Sequence, residues 1–259
     1  MPDDFETSAK GQIPTNLRLL LVLEEVAKAG APVAPSFLCD TLALPKPTVH
    51  RLLATAESEG FLQRDIDGRS FGPGKRMRRL STNTLSSQRV RTERLRIMRG
   101  LAEDVGETCN LAAPGRDGMV YIDRVETHWP LRIQLPVGTR VPFHCTASGK
   151  MYLSSLRPEK LDRLLSSINL ERRTERTFTR ADALQRELAT TRKRGYSTDD
   201  QEFMDGMAAV AVAIRDDQGR LLTTLSIHAP ELRHGIEGLL SHLPTLRAAA
   251  LRLEELVLE

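Results

Sequence analysis

The run Leu44-Pro-Lys-Pro-Thr-Val-His-Arg-Leu-Leu53 organises the N-terminal third of the chain. Leu44 to Pro47 reads as a turn, because proline locks its own φ and bars the residue before it from the helical region. From Pro47 to about Ser58, Val49, Leu52, Leu53 and Ala56 recur at helical spacing, which predicts a helix with one buried stripe. Upstream, Pro35 suits the first turn of a short helix over Pro35–Leu42. Leu19, Leu20, Leu23, Val26 and Ala27 mark another over Asn16–Ala29, capped by Thr15 and stopped by Gly30. Downstream, Gly60 ends the third helix, and Phe61 to Gly74 reads as strand, Asp67-Gly68 turn, strand. Three helices and a hairpin in this order predict a winged helix-turn-helix.

In such a unit the start of the second motif helix enters the major groove. Lys46, Thr48, His50 and Arg51 are therefore candidate DNA contacts. The cations suit phosphate or guanine, and Thr48 and His50 suit a base edge or phosphate. Arg69 in the hairpin is a candidate minor-groove or phosphate contact. The plainer reading, an amphipathic helix with a solvated outer face, is disfavoured by the hairpin that follows. Charge agrees. Residues 1–100 carry a net charge of +5 and the remainder a net of −2, so a polyanion partner is expected at the front.

Composition excludes several classes. Charged residues at 27% and hydrophobic residues at 40% fit a globular chain rather than a disordered one. No apolar run reaches membrane-span length, and the acidic start does not read as a secretory signal. Cys39, Cys109 and Cys145 are too scattered for a disulfide framework or structural zinc site, so a reducing cytoplasm is expected.

Lys75 to Gly106 reads as one or two linker helices, with Leu95, Met98, Leu101, Ala102 and Val105 as an apolar stripe that expects a second copy of itself. Beyond it, Asn110–Ala113, Met119–Val125 and Leu131–Val137 are strand candidates, and Gly115 to Gly118 is a turn. Helices are expected over Thr146–Leu156, from Pro158 to about Leu165, and from a Thr179 cap to Arg194. A hairpin is expected over Ala208–Arg215 and Arg220–His228. One last helix, Ile236–Leu258, is expected with a kink at Pro244. This is an α+β domain with a mainly antiparallel sheet.

His144-Cys-Thr-Ala-Ser-Gly-Lys150 fails as a phosphate loop, since His144 stands where glycine is needed and Met151 follows the lysine. His144 and Cys145 are adjacent and make a poor nucleophile–base pair. The turn into the following helix could instead hold a carboxylate on free backbone N–H groups, unless Thr146 simply caps it. Asp199 to Glu202 and the Ser226/His228 pair, two apart on one strand face, are the other polar groups expected at a pocket. The remaining histidines show no metal-ligand spacing.

Taken together, these segments resemble the IclR family of bacterial transcriptional regulators over nearly the whole chain. The resemblance rests on Leu44 to Leu53, Gly60-Phe61, Tyr121-Ile-Asp-Arg124, Pro142 to Lys150, Gly195-Tyr-Ser-Thr-Asp-Asp200 and Leu225-Ser-Ile-His-Ala-Pro230. It implies a winged helix domain (1–74), a linker helix that dimerises (75–106) and a GAF-like effector-binding domain (107–259). It also implies double-stranded operator DNA and a small organic-acid or aromatic effector as partners, a homodimer or dimer of dimers, and control of catabolic genes. No cofactor, metal or catalytic group is implied. Ala147, Ser148, Asp200, Ala209, Ser226 and His228 are implicated in effector binding, with Leu111, Ile133 and Met207 as apolar lining. Pro47, Ala209 and His228 depart from the Ser, Cys and Ser common in the family, and His228 could pair with a carboxylate or phenol. The alternatives are a ligand-independent DNA-binding protein and, behind it, an enzyme with a helical N-terminus.

Overall fold

Val22, Val26, Leu38, Val49, Leu53, Ala56, Leu62 and Phe71 close one core. The computed structural model describes residues 13–85 and 88–258, and the chain divides between Leu85 and Ser86 into two compact units. The first unit holds α1 (Arg18–Lys28), α2 (Pro35–Leu42), α3 (Lys46–Ser58), the hairpin β1 (Leu62–Arg64) and β2 (Phe71–Pro73), and α4 (Lys75–Leu85). Its boundaries follow local chemistry. Pro35 sits in the first turn of α2. At the hairpin turn, Asp67 Oδ1 accepts from the Arg69 and Ser70 amides at 2.8 Å each, and Gly68 takes a φ of +64°. The α1 stripe needs correction: Val22 is buried beside the expected Val26, while Leu20 and Ala27 face solvent. Thr15 lies three residues before α1, whose N-cap is Leu17.

The second unit is a six-stranded antiparallel sheet between helices. Its strands are β3 (Thr108–Pro114), β4 (Met119–Val125), β5 (Arg140–Val141), β6 (Ser197–Asp200), β7 (Met207–Arg215) and β8 (Leu221–Pro230), in spatial order β5-β4-β3-β8-β7-β6. Alternation along β7 sorts the two faces. Ala208, Val210, Val212 and Ile214 pack in one core with α5 (Gln88–Val105), α9 (Ile236–Ser241) and α10 (Leu243–Leu258). Ala209 and Ala211 face the other way, against Ala147 and Met151 of α6 (Ala147–Ser155). α7 (Pro158–Ser167) and α8 (Ala181–Arg194) complete that second layer through Leu161, Leu165, Leu184 and Leu188.

Four expectations about the second unit's elements are overturned. The stripe Met98, Leu101, Ala102 and Val105 does not wait for a second copy; it is buried against the chain's own sheet and α10. Leu131–Val137 is not a strand: Pro130 precedes it, Pro136 lies within it, and the strand paired to β4 is Arg140–Val141. α8 begins after Arg180, so Thr179 is not its cap. The final helix breaks fully at His242, because Pro244 has no N–H and instead sits in the first turn of α10.

Candidate functional site

In the first unit, α3 presents two unlike sides. Val49 and Leu53 are held in the core at no more than 1% exposure, which aims Lys46, His50 and Arg51 outward into solvent, with Thr48 half-buried between. Pro45, at the N-cap, offers no side chain to cap the helix. Beside α3 stands the hairpin. Arg64 is occupied there: it bonds Glu57 Oε1 at 2.9 Å and lies over the Phe71 ring. Arg69 is exposed at the turn. Of the expected contacts, Lys46, His50, Arg51 and Arg69 are thus exposed and Thr48 is half-buried, all within the first unit. Sequence reading missed Ile66, which is 98% exposed at the hairpin tip.

In the second unit the polar groups turn inward. β3, β8 and β7 bring Asn110, Ser226 and Ala211 into register, and Thr108, His228 and Ala209 into the next row, so all six share one face. Ser226 Oγ lies 2.9 Å from His228 Nε2 and 3.4 Å from the Asn110 carbonyl, and Ser148 of α6 donates to Ser226 Oγ at 3.4 Å. Burial, with Arg124 nearby, pushes the His228 imidazole down to about 3. It is therefore a neutral hydrogen-bonding ring rather than a cation awaiting a carboxylate. Tyr121 meets that ring edge-on at 6.4 Å, its phenol held neutral by burial. Tyr121 and Arg124 reach the same face because the β3–β4 register shifts by one residue between Leu111 and Ala112, leaving Ile122 opposite no partner.

A second cluster lies at the β6 edge. Lys150 of α6 is fully buried, ion-paired to Glu202 and 5.0 Å from the Phe178 ring centre. Asp199 Oδ1 accepts from the Glu202 and Phe203 amides at 2.8 and 3.2 Å. Burial first, and then the Glu202 charge, lift the Asp199 carboxyl to about 7. Thr174 and Thr177 donate to the Gln201 and Glu202 carbonyls at 2.7 Å each, which holds Gln201 at a φ of +60°. Glu202 Oε2 is buried without a hydrogen-bond partner among the described residues.

The expected effector residues divide accordingly. Ala147, Ser148, Ala209, Ser226 and His228 come together, and Met207 is half-buried on the same side of β7. Leu111 does not join them: it faces the opposite core with α5 and α10. Asp200 is also misplaced by one residue. Strand alternation turns it away, to pair with Arg176 at 2.5 Å, and turns Asp199 inward. Ile133 is buried in the loop after β4, its carbonyl gripped by Arg124. Thr146 caps α6 by accepting from the Gly149 amide at 3.1 Å, so that amide is not open to a carboxylate. Gly149 is required there, since a Cβ would overlap the Phe143 backbone. Burial raises the Cys145 thiol to about 12 and lowers the His144 imidazole, the reverse of an activated pair. Asp199 and Glu202 were expected at a pocket as the ends of one polar run, whereas Asn110, Tyr121, Arg124 and Lys150 were not singled out as site residues in the sequence. For the strand residues the signal is alternation, readable only once the β4 irregularity and the short β6 are known.

Comparison with known proteins points the same way. Residues 17–65 match the family profile described as IclR helix-turn-helix domain, and residues 82–255 match the one described as Bacterial transcriptional regulator IclR C-terminal. A curated relative, the Probable transcriptional regulator SauR of Cupriavidus necator, is 38% identical over 234 residues, or 90% of this chain and 93% of the relative. The Acetate operon repressor of Salmonella typhimurium is 34% identical over 222 residues, 85% of this chain and 81% of the relative. A solved IclR homolog from Microbacterium hydrocarbonoxydans, complexed with 4-hydroxybenzoate, superposes with a TM-score of 0.59 at 27% identity, covering 94% of this chain and 98% of that one.

Proposed function

Because the chain belongs to the IclR family of bacterial transcriptional regulators, we propose that it binds double-stranded operator DNA as a dimer or dimer of dimers and releases or grips it in response to a small organic acid or aromatic effector. The observation that carries the DNA half is the outward set of Lys46, His50 and Arg51 on a helix whose inner side is locked by Val49 and Leu53. The exposed Arg69 of the hairpin supplies a further contact to phosphate or minor groove. The exposed Leu17 and Leu20 at the start of α1 and Leu80 of α4 are the apolar side chains proposed to meet a second copy in place of the α5 stripe. Catabolic genes beside its own, in the cytoplasm, are the proposed targets.

The effector rests on the sheet face holding Ser148, Ala209, Ser226 and His228, with Asp199 replacing Asp200 in the set. The related structure that carries 4-hydroxybenzoate supports an aromatic acid. α5 is the proposed transmitter. Its Arg94 and Arg91 bond Asp123 at 2.6 and 3.1 Å, and Asp123 is adjacent in β4 to Arg124 on the effector face. An effector acts only through unequal affinity for the DNA-gripping and DNA-releasing arrangements. Gel retardation of the gene's own upstream region at moderate salt tests the reading. Wild type retards it, and absence of retardation counts against DNA control altogether. Retardation with no thermal shift across a metabolite panel leaves a ligand-independent DNA-binding protein.

A further inference from the structure

Asn110 occupies the middle of β3, in the interior of the sheet, where asparagine is a poor strand former. Its side chain is completely buried. Arg124 Nη1 donates to Asn110 Oδ1 at 2.8 Å. A guanidinium has no acceptor, so this bond fixes the amide with Oδ1 toward Arg124 and Nδ2 away from it. That buried Nδ2 has no hydrogen-bond partner among the described residues. Buried donors are nearly always paired, and one left open in a rigid sheet needs a reason.

The surroundings say what it suits. Ser226 is directly across in register, its hydroxyl within reach of His228 and Ser148, and Ala211 beyond it has no atoms past Cβ. Arg124 is itself almost fully buried, with side-chain exposure of 4%, and is balanced by Glu126 at 2.9 Å on the solvent side. The imidazole beside Ser226 is neutral. The local field is therefore that of a buried cation beside an open N–H donor, which favours an anionic acceptor.

We propose that Asn110 anchors the effector, its Nδ2 donating to a carboxylate oxygen of a small organic acid, and that Arg124 is a positioning residue holding the amide in its donating orientation. The proposal rests on the ligand-responsive reading above; the open donor together with the adjacent Arg124 charge is what makes this site choose acids over their neutral analogues.

The test uses acetate, lactate and benzoate, each beside its primary amide, with melting shifts and calorimetric titration on the full chain. At least one acid should stabilise wild type while its amide does not. Asn110→Asp keeps an acceptor facing Arg124 but replaces the donor with negative charge. It should weaken that acid by about 10- to 100-fold while melting close to wild type. Arg124→Gln frees the amide to turn, so it should collapse the ratio of acid to amide affinity and not merely lower both. Equal binding of the acid by wild type and Asn110→Asp, or equal binding of acid and amide by wild type, overturns the proposal. So does the absence of binding by all three acids at millimolar concentration. Retardation of the upstream DNA by the same preparation would then leave the regulator reading standing, so the two failures are distinguishable. If Asn110→Asp does not fold, ¹⁵N-asparagine labelling of wild type, with four asparagines to resolve, reads the same point. The Asn110 side-chain NH₂ pair should move downfield with the stabilising acid, and a stationary pair overturns the assignment.

Discussion

On α3 of the first unit the polar side chains Lys46, His50 and Arg51 point into water, while in the second unit Asn110, Lys150, Glu202, Ser226 and His228 are sealed between a sheet and a helix layer. The outward cations keep their hydration, so leaving them without a protein partner costs little and the fold itself says nothing about what they meet. The inward groups have given up water, so each must be paired within the protein or completed by something that enters. A polar side chain on the surface of this protein is therefore a hint about charge. One in its interior is a statement about geometry.

That contrast can be broken or sharpened by substitution. Lys150→Met should have the largest effect, because it strands Glu202 and Asp199 without their cation. A loss of about 3–5 kcal/mol in urea unfolding at pH 8 is expected. It should shrink toward pH 5 as the carboxylates take up protons, and a loss equal at both pH values would mean the pair is not the cause. Next comes Asp199→Asn. The Asp199 carboxyl is raised to about 7 in the folded chain, above its unfolded value, so its contribution is fully present below the unfolded value and fades as pH rises through about 7. The asparagine variant should gain on wild type by about 2–3 kcal/mol between pH 5 and pH 8; parallel stability–pH curves would contradict this.

Outward substitutions should leave melting untouched. Arg51→Ala should weaken retardation of operator DNA about tenfold, and if Arg51 meets phosphate the salt slope of binding should flatten by about one. A drop in melting temperature would show that Arg51 belongs to the fold rather than to the surface. Arg69→Ala should be the mildest, about two- to threefold in DNA affinity. A larger loss confined to particular operator sequences would promote the hairpin from phosphate contact to groove reader.

Much of the first unit was legible because its signals are local. Pro35 and Pro47 open helices, Asp67-Gly68 turns the hairpin, and Gly60 ends α3, each within a few residues of where the effect is felt. In the second unit the same methods placed β4, α6 and the β7–β8 hairpin, yet erred at points set by distant partners. Ser197–Asp200 ends in two aspartates, which are poor strand formers, and pairs as a strand along the edge that β7 offers. The α5 stripe looked unpartnered because its partners are the sheet face and α10, the latter about 150 residues along the chain, beyond the reach of local periodicity.

Residue spacing alone determined that a winged DNA-reading unit precedes an α+β domain, since hydrophobic periodicity and turn chemistry act over a few neighbouring residues. Which way each strand residue faces was settled only in three dimensions. A strand has a period of two, so one shifted partner in β4, or one residue's error in β6, exchanges inside for outside, as it did for Asp199 and Asp200. The open amide of Asn110 could not be foreseen for the same reason: it exists only where Arg124, fourteen residues along the chain, folds back to claim the other half of the side chain.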